Sequence, residues 1–279
     1  MKAKKVIGIS LVAILLCLLY FQTFIWLVNS WLSHSYYSHG FLIPLVSGFI
    51  FWRKRHQLKQ AKPFPLGILV IALGLSLYVA GLLSYFNFLS AISFLVVLGG
   101  LVLYFWGSKG LQSVLFPICF LIFMIPLPFL DSIGNWLQSL SAHWSAAIIG
   151  AVGIPVAITG AEIRLEESTF IIGLPCSGMN TLISLLALAA IFGYFLKGRF
   201  YKKAVLLTIA IPIAILANLL RIVSVLVIAN YYGSEAAMSF FHSYSSILLF
   251  GVAFFCLAIF SRPLGFSFRG ASSSKVGNP

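Results

Sequence analysis

Residues 66–106 read LGILVIALGLSLYVAGLLSYFNFLSAISFLVVLGGLVLYFW and contain no charged side chain. In a water-soluble domain about a quarter of the residues are charged, whereas in this chain of 279 residues 8% are charged and 61% are hydrophobic. The mean hydropathy is +1.06. This composition predicts an integral membrane protein. A single transmembrane domain is expected over residues 1–265, followed by a small, polar, disordered cytoplasmic tail over residues 266–279.

Several further apolar segments have the length of a membrane span, for which about 20 residues cross about 30 Å of hydrocarbon. The first is expected to be a retained helix, because it runs past the length of a signal peptide and lacks a small-residue cleavage site. The sequence therefore predicts an all-α membrane protein with about eight transmembrane helices. They are expected near residues 6–28, 39–53, 66–84, 88–106, 111–130, 176–196, 204–230 and 244–261.

The positive charge, formally +13, is distributed unevenly between the loops. With the N-terminus inside, sixteen of the eighteen Lys and Arg residues fall on the cytoplasmic side and the five acidic residues on the other. Lys and Arg in short loops mark the cytoplasmic face of a membrane protein. Both termini and the loop at 53–62 are therefore expected to be cytoplasmic. The charge signals orientation, and nucleic acid is not an expected partner.

The longest segment between predicted spans is 131–175, which lies on the outer face. Its first part, DSIGNWLQSLSAHWSAAIIGAVG, predicts an interfacial helix, with Trp136 and Trp144 suited to the level of the lipid headgroups. The alternating and β-branched runs that follow are typical of a small β-hairpin between the fifth and sixth helices. This hairpin would deliver the chain to the outer end of the sixth helix.

That helix opens with GLPCSGMNTL, residues 173–182, which contains Cys176. Unsatisfied N–H groups and the helix dipole at a helix start stabilise a thiolate. Gly178 would let another backbone approach closely. Alternatively, the stretch is a capping turn and its cysteine is incidental. The other cysteines are expected to be buried apolar side chains, and no CxxC pair occurs; they are Cys17, Cys119 and Cys256.

A charge occurs inside the seventh predicted span, at Arg221 in ANLLRIVSVLVIAN. Burying it in a bilayer costs at least about 2.5–3.5 kcal/mol, so such residues usually face a bundle interior and serve a function. Small and polar residues share its helical face, which predicts that this face contacts protein rather than lipid. They are Ala210, Ala214, Ala217, Asn218 and Ser224. Alternatively, Arg221 pairs with helix-end carbonyls or a lipid phosphate.

Histidine is the usual base that activates a cysteine nucleophile. Four of the five histidines are predicted near the outer face, and their positions do not discriminate among them: His34, His39, His143 and His242. The fifth, His56, lies in a basic cytoplasmic loop and is expected to be solvated.

Taken in order, LPCSGMNTL, ANLLRI and His242 resemble the exosortase and archaeosortase family of membrane-embedded cysteine transpeptidases. YYSHGFLIPL, FMIPLP and the GIPV and TGAEIRL segments extend the resemblance over most of the chain. The resemblance implies a triad of Cys176, Arg221 and His242 facing outward from a prokaryotic cytoplasmic (inner) membrane. It implies substrates with a C-terminal sorting signal of the PEP-CTERM kind: a short motif, a transmembrane helix and a basic end.

Roles follow from that implied triad. Cys176 would attack the scissile carbonyl, and His242 would act as acid and base. Arg221 would stabilise the oxyanion or the thiolate. Asn218 and Asn180, with Ser177 and Gly178 beside the cysteine, are expected to orient these groups. Asn180 could equally be a helix-packing hydrogen bond.

Other classes remain as alternatives. A transporter would also bury Arg and Asn, but it usually shows paired broken helices in two halves, and no such repeat is visible. A metal-dependent membrane enzyme could use His34, His39, His143 and Glu162, although HxxxH and HExxH pairs do not occur. A serine enzyme based on Ser177 would lack the GxSxG turn. The sequence therefore predicts no metal or cofactor, and substrate proteins and membrane lipid as partners.

Overall fold

The computed structural model describes residues 2–58, 64–165, 169–171, 177–197, 199–241, 245–262 and 267–268. The chain divides into two compact units, Met1–Pro128 and Phe129–Pro279, each considered by itself. The predicted single domain over 1–265 stays a prediction.

The first unit is helical. Its elements are α1 (Lys2–Leu19), α2 (Phe21–Ser33), a 3₁₀ helix (Ser35–Phe41), α3 (Leu42–Leu58), α4 (Gly67–Leu83), α5 (Asn87–Phe120) and a second 3₁₀ helix (Leu121–Met124). Helices α4 and α5 approach closely through glycines, as small residues allow in membrane proteins. A Cβ on Gly74 would lie 2.6 Å from Cγ2 of Val97, and one on Gly81 would lie 2.5 Å from Oγ of Ser90.

The first predicted helix, 6–28, is not continuous. Segments Ser10–Leu19 and Phe21–Ser33 meet at an angle of 64°. Tyr20 at the bend is fully buried, and its hydroxyl hydrogen-bonds with Oγ of Ser93 at 2.9 Å. The Tyr78 hydroxyl donates to the Leu19 carbonyl at 2.6 Å. A broken helix is tolerated at membrane depth when protein groups satisfy the freed backbone, and Tyr78 does so here.

Other boundaries move because of local chemistry. The predicted fourth and fifth helices are the two halves of α5, which are joined at a kink at Gly107 (φ 64°, ψ −170°). The second half ends well before residue 130, because Pro126 and Pro128 follow an extended Ile125. The second predicted helix begins at Leu42 and continues to Leu58, after a 3₁₀ turn.

The second unit contains the remaining elements: α6 (Leu130–Ala151), β1 (Ala157–Thr159), β2 (Glu162–Arg164), β3 (Thr169–Ile171), α7 (Met179–Phe195), β4 (Leu196–Lys197), α8 (Phe200–Phe240), α9 (Ser246–Ser261) and β5 (Ser267–Phe268). Helix α6 coincides with the predicted interfacial helix, and Trp136 and Trp144 are exposed on it. Helix α8 extends ten residues beyond its predicted end, with a non-helical residue at Gly233.

The predicted hairpin is present, and a third strand extends it. Strands β1 and β2 pair antiparallel around Gly160, and β3 pairs antiparallel with β2 on its other edge. Strand β5 lies in the tail for which disorder is predicted, yet it pairs with β4 through Leu196 and Phe268. The predicted disorder of residues 266–279 stays a prediction.

In the described part of the chain, two helical segments are long and apolar enough to cross a membrane, Asn87–Met124 and Phe200–Phe240. A third is counted if the bent pair at Tyr20 is one span. Eight spans are thus not confirmed. Helices α4, α7 and α9 are apolar but have 16 or 17 residues. At 1.5 Å per residue they extend about 24–26 Å, which is short of about 30 Å of hydrocarbon.

Candidate active site

The site is built on the buried face of α8 in the second unit. Five residues of the predicted stripe are buried: Ala210, Ala214, Ala217, Asn218 and Arg221. This burial confirms the expectation that this face contacts protein. Ser224 differs, because its hydroxyl turns back to the Leu220 carbonyl at 2.8 Å. The stripe therefore presents one amide and one guanidinium within a face of alanines.

The start of α7 has an unusual backbone. Gly178 has φ +85°, and its carbonyl accepts the first helical hydrogen bond, from Leu182 N–H at 2.9 Å. The Ser177 hydroxyl accepts a bond from Met179 N–H at 3.4 Å, and both of these residues are buried. Ser177, one residue before the N-cap, thus accepts a hydrogen bond from one of the first N–H groups of the helix. This contact does not support the serine-enzyme alternative.

Gly178 lies directly against Asn218. A Cβ on Gly178 would lie 2.7 Å from Cγ, 2.8 Å from Cβ and 3.0 Å from Nδ2 of Asn218. Only glycine satisfies both the positive φ and this close approach. The described segment that begins at Ser177 is therefore anchored to α8 through a contact at Gly178 that excludes any side chain.

Asn218 is itself held by a residue that the sequence reasoning missed. Its Nδ2 donates to Oγ of Ser141 on α6 at 3.1 Å, and both side chains are buried. A signal for Ser141 was available, since Ser141 and Ser145 recur four residues apart beside Ala142 and Ala146 and so form a small, weakly polar face on α6. That face is the one turned inward.

Arg221 lies one helical turn beyond Asn218 and is 9% exposed. Its Cζ is 4.3 Å from the ring centroid of Phe241, a cation–π distance. An aromatic face stabilises a desolvated guanidinium by about 2 kcal/mol or more. Residues three apart on a helix have Cβ atoms about 5–6 Å apart. The anchoring amide and the arginine are therefore neighbours.

Two of the three predicted catalytic residues, Cys176 and His242, lie outside the described residues. Each adjoins a described segment that contacts α8. Ser177 and Gly178 follow Cys176, and Gly178 contacts Asn218. Phe241 precedes His242 and contacts Arg221.

Asn180, predicted to orient the catalytic groups, lies on the first turn of α7. It is partly buried, and its Oδ1 has no hydrogen-bond partner within the described ranges. Among the described residues, Asn180 thus makes no contact that supports either predicted role, the orientation of the catalytic groups or a helix-packing hydrogen bond.

The other histidines predicted near the outer face are not gathered at this site by any described contact. His143 is exposed on α6, on the opposite side from Ser141, while in the first unit His34 is exposed and His39 is half-buried. The Glu162 carboxylate accepts a bond from Nε of Arg164 at 2.7 Å. No three His, Cys, Asp or Glu residues come together among those described. The metal-enzyme alternative gains no support.

These features define an integral membrane protein of packed apolar helices. The buried amide of one helix contacts the start of a second helix, and a buried guanidinium lies one turn away on the first helix. The family model described as Transmembrane exosortase (Exosortase_EpsH) matches residues 31–259. The chain therefore belongs to the transmembrane exosortase family, and the resemblance drawn from its motifs is confirmed. The match runs through both compact units. No curated protein and no solved structure matches the chain.

Proposed function

We propose that this exosortase is a cysteine transpeptidase that cleaves the C-terminal sorting signal of exported proteins at the outer face of the prokaryotic cytoplasmic membrane. Its catalytic set is Cys176, Arg221 and His242. The substrate signal comprises a short motif, a transmembrane helix and a basic end. The cleaved protein passes to an acceptor for anchoring, or to water for release.

The observation that carries this proposal is the pair of contacts on one face of α8. Gly178, two residues after Cys176, packs on Asn218, and Phe241, one residue before His242, packs on Arg221. Asn218 and Arg221 are three residues apart on that face. The contacts support a site in which the cysteine and histidine segments approach the same turn of α8.

The chemistry follows from the residue types. The Cys176 thiolate forms an Sγ–C bond with the scissile carbonyl, and the tetrahedral oxyanion is stabilised by the Arg221 guanidinium. The C–N bond then breaks, and His242 gives its proton to the leaving amine. The C-terminal helix departs and leaves a thioester. His242 next takes a proton from the incoming nucleophile, which attacks the thioester and frees Cys176.

Burial strengthens the electrostatic role proposed for Arg221. A guanidinium that is 9% exposed acts in a low-dielectric environment, where its attraction to a developing oxyanion is much stronger than in water. Its planar fork also provides two directed donors, which an ammonium group does not. Arg221 can therefore serve as a preorganised electrostatic group.

The test is processing of a co-expressed substrate that carries a C-terminal motif, transmembrane helix and basic end. Cys176→Ala, His242→Ala and Arg221→Ala should each abolish processing, because residues that act as a unit have strongly non-additive effects. His56→Ala and Cys17→Ala serve as matched controls that should process normally. Intact mass measurement should detect a thioester on Cys176. Full processing by Cys176→Ala would overturn the proposal.

A further inference from the structure

The first unit contains a partly open apolar cavity of about 770 Å³ that is lined by α1, α2, α3, α5 and both 3₁₀ helices. One end is lined by Trp31, Phe41 and Met124, and the other by Phe51 and Trp106. Among the lining residues the only hydroxyl is that of Ser47, which donates to the Pro117 carbonyl at 2.7 Å. Since a stable buried water needs two to four polar partners, this cavity suits hydrocarbon.

The lining follows two helices of the unit. On α3 it includes residues from Pro44 to Phe51, and on α5 it includes residues from Phe94 to Ile118. The seven residues along α3 correspond to about 11 Å of helix. The cavity therefore offers an extended apolar surface along which acyl chains can lie.

Basic side chains lie just beyond one end of the cavity. Helix α3 continues from Phe51 to Arg53 and Arg55, which are exposed, with the Arg55 guanidinium 4.0 Å from the Trp52 ring centroid. On α5, exposed Lys109 follows three residues after Trp106. Basic groups at a membrane surface attract anionic lipid headgroups at about 1 kcal/mol per Lys or Arg. This end is thus complementary to a phosphate-bearing headgroup.

We propose that the cavity is a binding site for an anionic phospholipid, whose acyl chains lie along α3 and α5 and whose phosphate lies at Arg53, Arg55 and Lys109. The apolar lining holds the chains, and the basic end selects the headgroup. This binding is independent of the cysteine chemistry, because it involves the first unit alone. It is therefore measured without any substrate.

The experiment uses the purified full-length protein and two photoactivatable lipids with the same diazirine-bearing acyl chains, phosphatidylglycerol and phosphatidylcholine. Peptide mapping should place phosphatidylglycerol adducts on the cavity-lining segments of α3 and α5. Phosphatidylcholine should label these segments several-fold less. Replacement of Arg53 and Arg55 by Gln should remove that preference. Equal labelling by both lipids in the unmodified protein would overturn the proposed headgroup selection.

Gly48 allows the cavity to be filled without disturbing its walls. It lines the cavity on α3, and a Cβ there would meet no atom within 4 Å. Each CH₂ group excluded from an apolar site weakens binding about fourfold. The Gly48→Phe ring should displace roughly two CH₂ groups of the lipid acyl chain. It should therefore lower labelling by the photoactivatable lipid about tenfold or more.

The matched control is Gly251→Phe on α9, a helical glycine that also has no atom within 4 Å of an added Cβ and does not line the cavity. Labelling of α3 and α5 should be unchanged by it. If Gly48→Phe is not monodisperse, Gly48→Leu gives the same comparison. Undiminished labelling in a well-folded Gly48 variant overturns the proposal. Labelling of these segments by a synthetic transmembrane helix in place of lipid would do so as well.

Discussion

Gly178 lies against the Asn218 side chain so closely that a single added methyl group would be 2.7 Å from the amide carbon. Contacts under 3.0 Å force a shift of one partner, and Asn218 is held on its other side by Ser141. The turn beside Cys176 is therefore positioned by α8, and α8 by α6.

Gly178→Ala should destabilise the protein and reduce processing strongly. The positive φ costs about 1–3 kcal/mol for an L-residue, and overpacking against Asn218 adds about 1–3 kcal/mol. Gly153→Ala is the matched control, because Gly153 has φ +91° but no atom within 4 Å of an added Cβ. Thermal unfolding in detergent should show a larger decrease for Gly178→Ala. Equal decreases would mean that the contact with Asn218 has no energetic consequence.

Ser141→Ala should cost about 1–3 kcal/mol of stability, because it removes the buried hydroxyl that accepts a hydrogen bond from Asn218 Nδ2. We also expect slower processing, since Asn218 would then hold the α7 turn less firmly. Ser145→Ala is the comparison: Ser145 is fully buried on the same helix, and its hydroxyl has no partner in the part of the chain described. Denaturation and processing assays would contradict the role of Ser141 if the two variants behaved alike.

Phe241→Leu should weaken the environment of Arg221 by about 0.5–2 kcal/mol, because leucine keeps the apolar bulk and loses the aromatic face. A double-mutant cycle with Arg221→Gln should give a coupling energy of that size. The neighbouring Phe240→Leu, paired with the same arginine variant, should give none. Coupling of equal size in the two cycles would argue against a specific cation–π contact.

Among the thiols, Cys176 should react fastest with a small, membrane-impermeant maleimide added from the outer face. The nucleophile is the thiolate, which a helix start and a nearby arginine favour. Cys17 and Cys119, which the sequence predicted to be buried, are instead exposed on apolar helices, where we expect hydrocarbon to shield them from the impermeant reagent. Arg221→Ala should slow the labelling of Cys176. Comparable labelling of Cys119 would remove the distinction on which the mechanism depends.

Reporter fusions test the predicted orientation. A fusion after Gln60 should report the cytoplasm, because this loop is basic, and one after Asp131 should report the outer face. The fusion after Asp131 is the decisive one, since it lies at the start of α6, which carries Ser141. A cytoplasmic signal there would reverse the orientation of the whole proposed site.

Much of the local structure was predictable. Runs of apolar residues located α4 and α7 to within a few residues, and β-branched residues around Gly160 indicated the hairpin. The small-residue stripe on α8 predicted its buried face. These features follow from composition and periodicity within one segment, where neighbouring residues alone decide the outcome. The bend at Tyr20 was not predictable, because it depends on hydroxyl bonds to Ser93 and from Tyr78.

The candidate site likewise combines features that one segment of sequence predicts with features that depend on tertiary contacts. The sequence by itself determined the membrane class and the buried Arg221, since each follows from hydropathy or charge in one segment. Only the tertiary structure decided that Asn218 lies between Gly178 and Ser141. Ser141 is 77 residues from Asn218 along the chain. The reason is physical: helix packing is short-ranged and depends on how two separately formed faces fit together. The periodicity of residues within one helix does not identify the helix against which its buried face will pack.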